Sequence, residues 1–114
     1  MKIITKNIPI YFGCLRIIIT KDFNKACKKI KKSFPNYNPN DYDAFIYTDK
    51  TKSDINRYTI FVKPKATPSI IAHETVHLVN QLFIDSHIHL DIHNDEHQAY
   101  ITGWFVRQIH KALK

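Results

Sequence analysis

The chain has 114 residues, a formal net charge of +7 and a sequence pI of about 9.5. This length predicts one domain over residues 1–114, with room for a single core but not for a separate substrate-binding domain. The sequence contains neither an apolar run long enough to cross a bilayer nor a secretory signal pattern. We therefore expect a cytoplasmic protein with no membrane partner.

β-branched and aromatic residues dominate the stretch from Ile8 to Thr20. This stretch predicts either one long strand or a hairpin that turns near Gly13, and the sequence does not distinguish the two. The cysteines, Cys14 and Cys27, lack the paired spacing of a metal site. We expect both to be buried small apolar residues and not to form a disulfide.

An amphipathic helix is predicted from about Lys21 to Ser33. One face is apolar, and the other carries six lysines, which are Lys21, Lys25, Lys28, Lys29, Lys31 and Lys32. We interpret these lysines as the solvated face of the helix. No helix-turn-helix, RNA-recognition or zinc-finger pattern accompanies them, so the positive charge alone does not predict a nucleic-acid partner.

Two strands are predicted from Ala44 to Thr48 and from Tyr58 to Lys63, after a loop that is rich in Pro, Asn and Asp. The element order favours an α+β fold with a small mixed or antiparallel sheet packed on helices. A free edge strand of such a sheet can hold an extended peptide by backbone pairing. Order along the chain makes Tyr58 to Lys63 the candidate edge strand.

The next predicted element is a second helix, which begins at Thr67 and continues beyond Asn80. Thr67 can accept the free N–H groups of the first turn, and the proline that follows has no N–H to leave unpaired. The apolar residues cover more than one stripe, so we expect this helix to be buried on most sides. His73 and His77 lie one turn apart, about 40° around the axis, and both imidazoles can converge on one metal ion.

Glu74 is rotated by about 100° from His73 on the same helix. That position suits a general base that acts on a metal-bound water, and it does not suit a third ligand. The spacing of the three residues therefore predicts a hydrolytic zinc site. The alternative is a pair of core histidines hydrogen-bonded to the backbone, with a glutamate that faces solvent.

A third helix is predicted after Asn94 and Asp95, and it contains Glu96, the only other glutamate of the chain. Gly103 lies on the same stripe as Glu96 and suggests that another backbone passes close to that face. Such an approach would bring Glu96 within reach of an ion on the neighbouring helix. The alternative is ordinary packing through small residues, with Glu96 complementing the positive end of its own helix.

These residues together resemble the gluzincin pattern of zinc metallopeptidases: His73-Glu74-x-x-His77, eighteen residues, then Glu96-x-x-Ala99. The pattern is also similar to compact zincin-like metallopeptidases of phages and prophages, in which a Glu-x-x-Ala-Tyr element opens the last helix. The resemblance covers Thr67 to Arg107. It implies a zincin-like domain in which His73, His77 and Glu96 hold Zn²⁺ between the last two helices, with Glu74 as the catalytic base.

Between the two helices lies a segment rich in possible ligands, which are His87, His89, Asp91 and His93. These side chains can supply a different third ligand, a second metal site or a partner for an imidazole. The Ile and Leu residues between them also fit a short strand or an ordered loop that shows the histidines to water. Tyr100, one turn after Glu96, either stabilises a developing oxyanion or packs against the protein.

The favoured function is that of a zinc-dependent metallopeptidase acting on a peptide or protein substrate. The alternative is a non-catalytic zincin-like protein that binds a host or nucleic-acid partner and carries a structural or vestigial zinc. A closed site with a fourth protein ligand would indicate the binding protein, whereas an open coordination position would indicate the enzyme. The sequence predicts neither the cleavage specificity nor the oligomeric state.

Overall fold

The computed structural model describes residues 1–114 as a mixed four-stranded sheet and three α-helices, which confirms the predicted α+β class. The elements in chain order are β1 (Lys2–Asn7), β2 (Cys14–Ile19), α1 (Phe23–Lys29), β3 (Ala44–Lys50), β4 (Asn56–Val62), α2 (Pro68–Asp85) and α3 (Glu96–Leu113). A short 3-10 turn at Pro39–Asp41 precedes β3. None of the helices combines the length and the hydropathy needed to cross a membrane.

The strand order is β1-β2-β4-β3, with β2 and β4 parallel and both outer pairs antiparallel. β1 and β2 form a hairpin whose connection runs through Ile8–Gly13. Of the two arrangements predicted for Ile8 to Thr20, the hairpin is therefore correct in part. Its first strand, β1, lies before that stretch. The sequence did not predict β1, because it is an edge strand in which only Ile4 is half-buried. No alternation of buried and exposed residues therefore indicates it.

The predicted exposed edge, Tyr58 to Lys63, is wrong. It corresponds to β4, which pairs with β2 on one side and with β3 on the other. The residues from Tyr58 to Val62 are all buried, as expected for a central strand with both faces covered. The free edges belong to β1 and β3.

Helices cover both faces of the sheet. α2 and α3 pack on one face, against a core that includes Leu15, Ile17, Tyr58 and Ile60. α1 packs on the opposite face over a smaller cluster that is rich in aromatic rings; its sheet residues are Ile18, Phe45 and Phe61. Cys14 and Cys27 are buried free thiols, as predicted.

α1 is shorter than predicted, since it ends at Lys29 and not near Ser33. Asp22 caps its first turn by accepting hydrogen bonds from the backbone N–H groups of Asn24 and Lys25, at 3.0 and 3.3 Å. The helix stops because Lys31 adopts a left-handed backbone with φ of 58°. Lys31 and Lys32 lie on the chain that leaves the helix, and Lys21 precedes it.

Gly103 has no close backbone neighbour, so the predicted close approach at this residue is wrong. A Cβ atom built there meets only Arg107 Nη1, at 3.9 Å. The buried face of α3 is formed instead by Ile101, Phe105 and Ile109. The glycine therefore gives α3 no packing advantage.

Replacing Gly103 by alanine is expected to raise the free energy of unfolding by about 0.5–1 kcal/mol. Alanine has the higher helix propensity and restricts the unfolded chain, and it meets no obstacle in α3. Urea unfolding followed by circular dichroism measures the change. Gly13→Ala is the matched control with the opposite sign, because a Cβ there lies 3.1 Å from both Asn56 O and Tyr58 Cε2. If Gly103→Ala were less stable than the native chain, the prediction that another backbone segment lies close to Gly103 would hold after all.

Candidate metal centre

α2 begins where the sequence predicted. Thr67 Oγ1 accepts a hydrogen bond from Ile70 N at 3.4 Å, and Pro68 is the first helical residue. The expectation that the helix is buried on most sides is wrong, because His73, Val76 and His77 form an exposed face. The opposite face, which includes Glu74 and Leu78, packs inward.

His73 and His77 lie side by side on the exposed face of α2. Their Nε2 atoms are 3.3 Å apart, and the two rings meet at 76° with centroids 4.9 Å apart. Zn–N bonds of about 2.05 Å at the tetrahedral angle place two nitrogen atoms about 3.3 Å apart. The imidazole pair therefore fits two positions of a tetrahedral zinc site. The same distance also allows one ring to donate a hydrogen bond to the other.

Glu74 lies one residue after His73 but points towards the protein, with only 9% of its surface exposed. Burial raises the pKa of this carboxyl group, and the nearby imidazoles of His73 and His77 partly oppose the rise. Its carboxylate accepts no hydrogen bond from the protein, and neither oxygen is sealed from solvent. The alternative interpretation of the sequence placed the two histidines in the core and the glutamate in solvent. The structure shows the reverse, since the histidines are exposed and Glu74 is buried.

α2 makes side-chain hydrogen bonds along its length, and one of them joins this helix to the sheet. Thr75 Oγ1 donates to Ile71 O at 2.7 Å within the helix. Further along, Asp85 accepts hydrogen bonds from Tyr58 OH of β4, at 2.8 Å, and from Gln81 Nε2, at 2.9 Å. The sequence analysis missed the pairing of Tyr58 with Asp85, which joins the sheet to the end of α2. The four-residue spacing of Gln81 and Asp85 is a local signal for their own hydrogen bond and not for the contact with Tyr58.

Comparison with protein-family models, with curated proteins and with solved structures finds no match. The chemistry of this centre therefore has to be inferred from its own side chains. His73 and His77 offer two imidazole ligands to a borderline-soft cation such as zinc. Glu74 adds a carboxylate on the buried side of the same helical turn, and it has no hydrogen-bond partner in the protein.

Glu96 is the first residue of α3, and its side chain is exposed. The first turn of α3 is held against α2 by His97, whose ring stacks on Phe83 with a centroid distance of 5.4 Å. Across residues 1–114, no three His, Cys, Asp or Glu side chains come together in a group that could hold a metal ion. The structure thus pairs His73 with His77 and does not add Glu96, so the third ligand stays a prediction.

The segment between α2 and α3 is an ordered loop of turns and not a strand. α2 ends in a Schellman motif, in which His87 adopts φ of 57° and Ile88 N donates to Phe83 O at 2.9 Å. His93 N donates to Asp91 Oδ1 at 2.9 Å in a further turn. The side chains of His87, His89 and His93 are exposed. Tyr100 also lies largely in solvent, so its role as an oxyanion donor stays a prediction.

Proposed function

We propose that the chain is a zinc-dependent metallopeptidase or a closely related amide hydrolase, with a compact zincin-like domain. His73 and His77 are two of the zinc ligands, Glu96 is the third, and Glu74 is the general base. The observation that carries this proposal is the 3.3 Å separation of the two Nε2 atoms on an exposed helix face. Imidazoles in such a geometry, with an unengaged carboxylate on the same turn, match the requirements of metal-assisted hydrolysis.

Glu74 carries the proton through the reaction. Zinc supplies Lewis-acid chemistry at such a site, because it polarises a carbonyl group and increases the acidity of water. The carboxylate of Glu74 takes a proton from the attacking water, whose oxygen forms a bond to the carbonyl carbon. When the C–N bond breaks, Glu74 returns that proton to the leaving amine. The lack of competing hydrogen bonds leaves the carboxylate available for both transfers.

β3 is the strand that supports binding of an extended substrate. It is a free edge of the sheet, and α2 packs against it. A strand in this position offers unpaired backbone N–H and C=O groups to a peptide that runs alongside it. Peptides and unstructured protein segments are therefore the substrate class that we propose.

Metal content is the direct test of the ligand set. Protein purified without a polyhistidine tag is expected to bind about one zinc per chain, measured by elemental analysis and by competition with a chromogenic chelator. His73→Ala and Glu96→Ala are each expected to weaken zinc binding by about tenfold or more, because each removes one of three ligands. His110→Ala, on the far part of α3, is the matched control and is expected to bind zinc as the native chain does.

Three other results would change the assignment. Unchanged zinc affinity in Glu96→Ala would transfer the third ligand to the loop that carries His87, His89 and His93. No zinc in the native chain, even after reconstitution, would overturn the hydrolase proposal. Zinc held without hydrolysis of any peptide in a diverse library would favour the non-catalytic zincin-like protein.

A further inference from the structure

The surface around α1 carries a concentration of unpaired positive charge. All six lysines of this region are exposed; they are Lys21, Lys25, Lys28, Lys29, Lys31 and Lys32. The ion pairs of the protein are Lys50 with Asp54 and Arg57 with Asp49, and both lie elsewhere in the chain. None of the six lysines therefore forms an ion pair.

A concave surface of about 630 Å³, the largest of the molecule, lies between α1 and the chain that follows it. Lys28, Lys32, Phe34 and Tyr37 are among the residues that line it. No Asp or Glu lines it. Its remaining polar groups include Asn24 and Asn38, whose side chains are joined by a hydrogen bond of 2.9 Å.

Aromatic rings in this groove are only partly covered. Phe34 and Tyr37 lie with centroids 5.3 Å apart, and Tyr37 meets Tyr42 edge-on at 5.4 Å. Tyr37 and Tyr42 expose 40% and 45% of their surfaces. Lys32 Nζ lies 5.8 Å from the centroid of Phe34, so positive charge and ring faces occur within one small area.

A second concave surface, of about 580 Å³, lies near the start of α1 and is lined by Lys2, Lys21 and Lys25. The carboxylate of Asp22 also lines it. That carboxylate accepts hydrogen bonds from Asn40 Nδ2 and from two backbone N–H groups of α1, which lowers the pKa of Asp22. The two grooves place lysines at both the beginning and the end of α1.

We propose that the α1 surface, defined by Lys21, Lys25, Lys28, Lys32, Phe34 and Tyr37, binds single-stranded nucleic acid. Its lysines contact successive phosphates, and unstacked bases lie against the rings of Phe34 and Tyr37. An acidic peptide would satisfy the lysines but would leave the aromatic faces without a partner. A duplex keeps its bases stacked internally, so it would use the charge alone. The lysines were interpreted from sequence as a solvated face because the other face of the predicted helix is apolar.

Fluorescence anisotropy with a 5′-fluorescein oligothymidylate of 12 nucleotides tests this proposal. The length is within the roughly 4–16 nucleotides that such grooves accommodate. Lys28→Glu/Lys32→Glu is expected to weaken binding by about tenfold or more and to reduce the slope of log affinity against log salt by about 1.4, since each phosphate contact contributes about 0.7. Lys52→Glu/Lys111→Glu carries the same charge change away from the groove and is expected to bind nearly as the native chain does.

Two variants of Tyr37 test how much the aromatic ring contributes to oligothymidylate binding. Tyr37→Ala is expected to weaken oligothymidylate binding by about tenfold, whereas Tyr37→Phe keeps the ring and the affinity. Circular dichroism and thermal unfolding confirm that both variants are folded. Equal affinity for a 12-base-pair duplex, or no difference between the two Tyr37 variants, would overturn the proposal that bases stack on the rings of this groove. Stronger binding of a fluorescein-labelled polyglutamate peptide would identify an acidic protein as the partner and would also overturn the proposal, as would no binding.

Discussion

Replacing Glu74 by glutamine is expected to lower peptide hydrolysis by a factor of about 10²–10⁴ while zinc remains bound. Glutamine has nearly the same shape but cannot take the proton of the attacking water. His73 and His77 are unaltered, so the metal ligands stay in place. Hydrolysis of a quenched fluorescent peptide library, measured beside zinc content on the same samples, tests both parts of the expectation.

The fold of the Glu74→Gln variant is expected to be at least as stable as that of the native chain. Glu74 is almost fully covered and has no hydrogen-bond donor from the protein. A neutral amide costs less to bury than a carboxylate, so a loss of activity cannot be attributed to unfolding. Thermal unfolding of both proteins in the same buffer checks this point.

Matched variants on the same helix separate the possible causes. Val76→Ala changes an exposed residue between the two histidines and is expected to keep both zinc and activity. His77→Ala is expected to lose both, because it removes one of the paired imidazoles. A Glu74→Gln variant with full activity and one zinc per chain would exclude Glu74 as the general base.

Features that depend on neighbours in the chain were predictable from sequence. The cap at Thr67, the strands that contain Ala44 and Tyr58, and the meeting of His73 with His77 all follow from local spacing. A four-residue separation on a helix brings two side chains together whatever the rest of the fold does. For this reason the sequence predicts that the two imidazoles meet, whereas their role as metal ligands stays a prediction.

Features that depend on how distant elements pack were not predictable in this way. The sequence gives no local signal that β4 inserts between β2 and β3, so the edge strand was assigned wrongly. Gly103 was interpreted as a contact, yet α3 buries the face formed by Ile101 and Phe105. The third metal ligand also depends on how distant elements pack, because the packing of α3 on α2 has to position Glu96.

Replacing Phe61 by alanine is expected to reduce the free energy of unfolding by about 3–5 kcal/mol. Phe61 is fully buried at the centre of the cluster under α1. Its ring stacks on Phe45 at a centroid distance of 4.5 Å and meets Phe23 edge-on at 5.8 Å. Removing it leaves a cavity among rigid rings that cannot collapse to fill it. Urea unfolding monitored by circular dichroism measures the loss.

The location of Phe61 makes this loss informative about the fold. Small domains are stable by only about 5–15 kcal/mol, so Phe61→Leu, a milder truncation, keeps the measurement possible if the alanine variant is unfolded. Phe12→Ala is the matched control, because Phe12 is exposed in the β1–β2 loop and its removal is expected to change stability by less than about 0.5 kcal/mol. If Phe61→Ala cost less than about 1 kcal/mol, α1 would not be part of the cooperative core, since the ring joins that helix to the central strand.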